Sequence, residues 1–273
     1  KAKTGDPGKK AILVVSFGTS FNDTRTRTID ALETAIAAAY PAYEVHRAFT
    51  SQMIIDKLKK RDGIEVKNVR EALRHLIAGG VGTLLVQPTH ILNGLEFNEM
   101  LADVKSYENN FVSISCGVPL LSATGDYFAL IDAFKTEIAP ALVALPADTA
   151  FLLMGHGTDH FANAAYPALD YMFKERGLGN VFVGTVEGYP NLDHIIPALK
   201  DGGYDKIILQ PLMIVAGDHA LNDMAGDGED SWKSALESEG FTVECILRGL
   251  GEFPSVHDLY ISHIAAALRP QRD

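Results

Sequence analysis

Three segments in the second half of the sequence carry side chains able to ligate a divalent metal: Gly155-His156-Gly157-Thr158, Glu187-Gly188-Tyr189-Pro190 and Gly217-Asp218-His219. Two imidazoles and one carboxylate suit Co, Ni, Fe or Zn, and so few protein ligands leave coordination positions open. Such a set holds zinc at least as well as cobalt, so metal choice is not written in the ligands. Glycines beside His156 let the backbone approach a ligand without obstruction by a Cβ. Taken singly, each residue also reads as a turn or hydrogen-bonding residue, and their coincidence at three successive strand ends is what points to one site. Neutral imidazole is also a base near working pH. His160 extends the cluster if its stretch is helical, although Gly157 argues for a loop. Asp218 either orients the neighbouring imidazole or is an exposed turn acid.

These loops need elements to position them. Short apolar runs bounded by turn residues fall at 11–16, 43–48, 83–88, 111–116, 149–154, 181–185, 206–211 and 242–246. Between them, apolar residues recur at helical spacing, as in Ile29, Leu32, Ala35, Ile36 and in Leu130, Phe134, Ile138. Strand–helix alternation predicts right-handed crossovers and a mostly parallel sheet, and near-continuous runs such as AILVV and FLLM predict burial on both faces. The second four strands repeat the first four. LLVQP at 84–88 matches IILQP at 207–211, and FGTS after the first strand matches HGTD after the fifth. The spacing differs by an extra helix, 68–78, in the first half. The reading is α/β: two similar four-stranded βα domains, 1–140 and 141–273, related by a pseudo-twofold with a cleft between them. In such sheets the working residues lie beyond the carboxyl ends of the strands.

The first copy lacks the triad. It places Phe17-Gly18 opposite 155–157, Ala48-Phe49 near the place of Glu187, and Glu96 opposite His219. What remains is an apolar and hydroxyl-bearing wall of Ser16, Phe17, Thr19, Ser20 and the segment 89–97. A metal edge facing such a wall suits a large planar ligand.

Composition sets outer bounds. The 273 residues carry a net charge of −11, with 47% hydrophobic and 22% charged residues, an ordinary globular composition. The acidic balance argues against a general nucleic-acid binder, and no run reaches the roughly 18 apolar residues of a membrane span. Cys116 and Cys245, far apart, exclude a zinc knuckle and a disulfide scaffold, and read as small buried hydrophobes. The opening KAKTGDPGKK is polar and reads as a disordered lead-in. A start at Lys1 without Met fits a chain cut by signal peptidase, so the periplasm is the expected location, with a trimmed cytoplasmic chain as the other reading.

The motifs SFGTSFNDTR (16–25), QPTHILNGLEF (87–97), LLMGHGT (152–158), GTVEGYP (184–190) and QPLMIVAGDHALNDM (210–224) together resemble the class II tetrapyrrole chelatases, nearest to their anaerobic sirohydrochlorin cobaltochelatases. The resemblance covers essentially the whole chain. It implies two α/β domains around a cleft and insertion of Co(II), or Fe(II), into sirohydrochlorin during corrin synthesis. It also implies a metal site of His156, Glu187 and His219, with no departure at these positions. Metal insertion releases two pyrrole protons: His156 is the candidate for first metal contact and proton removal, Glu187 completes coordination, and His219 is the second imidazole or second base. The peripheral carboxylates of such a macrocycle call for Arg25, Arg27, Arg47 and the amides of the 18–20 loop. Substrate contacts are therefore expected at Ser16, Phe17, Gly18, Thr19, Ser20, Arg47 and Glu96.

Two other functions fit the same residues. A non-catalytic carrier would bind metal or tetrapyrrole without turnover, and a zinc hydrolase would use His156, His160 and His219 around a water. His90 either makes a polar contact in its QPTH turn or, if exposed, ligates a haem shared by two subunits of a homo-oligomer about a twofold. His257 and His263 read as surface or packing residues of the last helix.

Overall fold

The computed structural model describes residues 4–269. Their strands are β1 (Asp6–Ser16), β2 (Glu44–Phe49), β3 (Val81–Pro88), β4 (Ser113–Cys116), β5 (Thr149–Gly155), β6 (Val181–Thr185), β7 (Lys206–Pro211) and β8 (Thr242–Cys245). They form two four-stranded sheets of identical order, β2-β1-β3-β4 and β6-β5-β7-β8, and every pairing is parallel. The repeat read from LLVQP and IILQP is thus a repeat of topology. The two cysteines close β4 and β8, the matching edge strands, as free thiols, and burial pushes the Cys116 thiol up to about 12.

In the first sheet Ala11, Leu13, Val15, Leu84 and Val86 form one core with Val69, Ala72, Leu73 and Leu76. Those four lie at three- and four-residue spacing on the helix Val69–Ala78, so one apolar stripe faces the sheet. Asn68 starts this helix: its side chain accepts from Glu71 N–H while the Glu71 carboxylate accepts from Asn68 N–H, a reciprocal cap worth about 1 kcal/mol. The helices Gln52–Asp62 and Val69–Ala78 both separate β2 from β3, against Leu192–Asp201 alone between β6 and β7, which accounts for the extra length of the first repeat. No helix among the described residues is long and apolar enough to cross a membrane.

Two expectations need correction. The polar opening is strand from Asp6 onward. Asp6 lies opposite Val81, its N–H donates to Gly80 O at 2.9 Å, and Thr83 Oγ1 donates to Pro7 O at 2.9 Å. Its polarity reflects exposure of residues 6–8, not lack of pairing; residues 1–3 lie outside the described ones. The compact units also do not part at residue 140. One holds 4–122 and 257–269, the other 123–256. The segment 124–138 belongs to the second because Phe134 packs edge-on against Phe173 at 5.6 Å and Arg176 stacks over Phe128 at 4.1 Å. The last helix returns to the first: Tyr260, fully buried, donates to Thr89 O at 2.8 Å, and Tyr40 donates to Ile261 O at 3.2 Å. His257 and His263 are buried packing residues of that helix.

Candidate metal centre

The ends of β5, β6 and β7 lead into the three loops of the second unit. There the ligand atoms of His156, Glu187 and His219 all lie within 4.8 Å of one another, among the described residues the only such group of three. Donors bound to one ion at about 2.1 Å sit roughly 3–4 Å apart, so the widest of these separations must close by roughly 1–2 Å. The imidazoles of His156 and His219 meet nearly perpendicular at 4.7 Å, and His156 Nδ1 is 3.9 Å from Glu187 Oε2. His156 and Glu187 are about half exposed, His219 a third, so the set is open to an incoming ion. His156 Nδ1 lies 2.9 Å from Gly157 O. A carbonyl only accepts, which assigns the proton to Nδ1 and leaves the Nε2 lone pair.

The first two loops are locked together. Val186 N–H donates to Gly155 O at 3.0 Å and Glu187 N–H to His156 O at 2.8 Å. Gly157 has φ +85°, and a Cβ there would lie 2.4 Å from Gly188 N. Asn163 spans both loops, accepting from Thr158 N–H at 3.1 Å and donating to Tyr189 O at 2.6 Å. Beneath them Tyr166 packs against Gly155 and its hydroxyl accepts from Gly157 N–H at 3.5 Å. Burial pushes that phenol up to about 12, which makes it a support and not a base.

Sequence reasoning missed several participants. Asp223, whose Oδ2 lies 2.5 Å from His219 Nδ1, was legible only as an acid four residues on. Asp218, the acid weighed in its place, accepts instead from Asn222 Nδ2 at 2.9 Å. Phe161 and Tyr189, at 83% and 60% exposure, put aromatic surface on the same loops as His156 and Glu187. His160 does not join the metal set: its Nδ1 accepts from Ala162 N–H at 3.2 Å, capping the short helix Phe161–Ala164, which removes one ligand from the hydrolase reading.

The residues expected to form the first copy's wall are placed differently. Ser16, Thr19 and Ser20 are buried; Thr89 Oγ1 donates to Ser16 Oγ at 2.8 Å, and Thr19 Oγ1 accepts from Phe21 N–H at 3.2 Å. The Ser16 and Thr19 hydroxyls are turned inward because each satisfies a neighbouring donor there. Phe17 remains half exposed beside Gly18, whose φ of +103° carries the chain across the Phe49 ring. Arg47 lies within β2, two residues before its end, and its guanidinium bonds Asp30 and Glu33, with Nε 2.8 Å from Glu33 Oε1. Burial, only partly offset by Arg47, holds the Glu33 carboxyl above its ordinary value. Arg25 is buried against Asn22, which leaves Arg27 as the exposed member of the expected trio. Glu96 opens the helix Leu95–Ser106, half exposed, with Oε2 3.4 Å from His90 Nε2; the His90 side chain is only 9% exposed, which does not meet the exposure that the haem alternative requires.

Duplicated four-stranded parallel units with an open His–Glu–His set at one copy's strand ends have the architecture of a metal chelatase. SirB from Bacillus subtilis, solved with Fe3+, superposes with a TM-score of 0.63 at 14% identity, covering 95% of each chain. CbiX, described as the terminal enzyme of sirohaem biosynthesis in denitrifying bacteria, gives 0.57 at 18%, covering 95% of this chain and all of the other. At these identities the likeness is one of fold. The chain belongs to the cobalt chelatase family: the family model described as Cobalt chelatase (CbiK) matches residues 10–269. It is 42% identical to the sirohydrochlorin cobaltochelatase of Salmonella typhimurium over 260 residues, 95% of this chain and 97% of the relative. It is 35% identical to the sirohydrochlorin cobaltochelatase CbiKC of Nitratidesulfovibrio vulgaris over 270 residues, 95% of this chain and 91% of that protein.

Proposed function

We propose that this chain is a sirohydrochlorin cobaltochelatase, inserting Co(II) into the macrocycle with release of two pyrrole protons. The observation that carries the reading is the convergence of His156, Glu187 and His219 in a member of the cobalt chelatase family. Both the metal and the tetrapyrrole are substrates. The three side chains hold the incoming ion and give it up to the ring nitrogens. His156, protonated at Nδ1 by its contact with Gly157, has one lone pair, at Nε2, so it binds metal or accepts a pyrrole proton but not both at once. Glu187 completes the coordination while the ion is bound and becomes a proton acceptor once it leaves. Phe161 and Tyr189, on the same loops as His156 and Glu187, supply exposed aromatic surface for a planar ligand.

The test is an absorbance time course of the protein with sirohydrochlorin and Co(II), run beside Glu187→Gln. The wild type is expected to convert the free macrocycle to its cobalt complex well above the uncatalysed rate. The amide keeps shape but loses charge and basicity, so turnover falls by about 100-fold while tetrapyrrole binding persists. Binding without metalation in the wild type makes the chain a carrier. Full turnover in the variant removes Glu187 from the mechanism.

A haem on His90, shared across the twofold of a homo-oligomer, is a separate proposal. Its support is that Nδ1 of His90 is buried without a hydrogen bond, while Nε2 has only the Glu96 carboxylate 3.4 Å away. Against it stands the burial of the ring, whose side chain is only 9% exposed. A Soret band in the purified protein, lost in His90→Ala, is the expected result; a colourless wild type, or a band that persists, ends the idea.

A further inference from the structure

We infer that Asp223 is a positioning residue of the metal centre, fixing the tautomer of His219 and making it the firmer of the two nitrogen donors. This rests on reading His156, Glu187 and His219 as the metal-binding set. Asp223 Oδ2 lies 2.5 Å from His219 Nδ1. An ionised carboxylate only accepts, so Nδ1 carries the proton and the lone pair sits on Nε2.

The fold builds this contact. His219–Met224 is a π-helical turn in which Ala225 N–H bonds Ala220 O at 3.2 Å, and it sets Asp223 about one turn along from His219. Ala220 and Met224, both fully buried, anchor the turn from its other side. Asp218 does not compete, since it accepts from Asn222.

The two imidazoles are therefore unequal. His219 leans on a charged acceptor and His156 on the neutral carbonyl of Gly157. A carboxylate polarises the ring more strongly and strengthens donation from the opposite nitrogen. His219 keeps hold of the ion, and His156 lets go first as the metal passes to the ring nitrogens of the macrocycle.

Asp223→Ala and Asp223→Asn, with His219→Ala as reference, are titrated with Co2+ alone, and Michaelis constants for Co2+ and sirohydrochlorin are measured separately. The Asp223 side chain is 44% exposed, so the fold tolerates both changes. The Co2+ dissociation constant is expected to rise about 10- to 100-fold in Asp223→Ala. Asp223→Asn, which keeps an acceptor without the charge, gives a smaller rise. KM for Co2+ follows, KM for sirohydrochlorin stays, and the 15N spectrum of His219 shifts from the Nδ1–H tautomer towards a mixture. Wild-type Co2+ affinity in Asp223→Ala with weak binding in His219→Ala overturns the role of Asp223, as does an equal rise in both Michaelis constants. Wild-type affinity in His219→Ala overturns the metal-site reading itself.

Discussion

His156→Ala is expected to fold normally and to lose cobalt insertion by about 1,000-fold, the range in which a positioned acid–base group and ligand contributes. The side chain is half exposed on a loop, outside both hydrophobic cores, so its removal takes away little packing. Exposed substitutions of this kind stay within about 0.5 kcal/mol of wild type. What goes is the Nε2 lone pair, and with it one of the three side chains proposed to hold the ion. Glu187 and His219 then hold cobalt too weakly to present it to the macrocycle. Thermal unfolding followed by circular dichroism, beside the absorbance time course, separates the two effects. A drop in Tm of many degrees would make His156 structural, and a wild-type rate would exclude it from the chemistry.

Gly157→Ala adds one methyl group and replaces none of the three side chains, yet its expected effect on turnover is within about tenfold of that one. A left-handed φ of +85° costs a residue with a Cβ about 1–2 kcal/mol. The new carbon would also stand 2.4 Å from Gly188 N and 2.8 Å from Thr185 Cβ, neither of which is a flexible side-chain end. The loops bearing His156 and Glu187 must then part. Their separation is set by the Glu187 N–H bond to His156 O and by Asn163, which grips Thr158 and Tyr189. A displacement of about 1 Å in a catalytic constellation costs on the order of 100-fold in rate, and that is the expected loss in kcat/KM. Tm should fall by only several degrees, since a change of about 1 kcal/mol moves a chain of this size by roughly 2–4 °C. A variant that unfolds earlier but turns over at the wild-type rate would show that the spacing of these loops does not govern the chemistry.

Much of this protein was legible in one dimension. AILVV and FLLM are apolar at every position because successive side chains point to opposite faces of β1 and β5 and both faces are buried. The convergence of His156, Glu187 and His219, whose ligand atoms lie within 4.8 Å of one another, could be read ahead because parallel sheets send the loops after their strands to one edge. Asp6–Lys10 did not look like strand, because its pairing with the start of β3 is made by backbone groups that leave no mark on side-chain pattern. Arg47 was expected to await a carboxylate from outside; Asp30 and Glu33 had already supplied two. The hydroxyls of Ser16 and Thr19 were expected to face a ligand and instead satisfy Thr89 and Phe21. Asp223 and Asp218 stand on either side of His219 in the sequence, and only the π-helical turn decides which of them meets the imidazole. Burial periodicity is a local property, set by whether each residue faces water or the sheet, and the sequence alone determined it here. The partner of a polar side chain depends on which distant segments folding brings within about 3 Å, and that was decided by the tertiary structure.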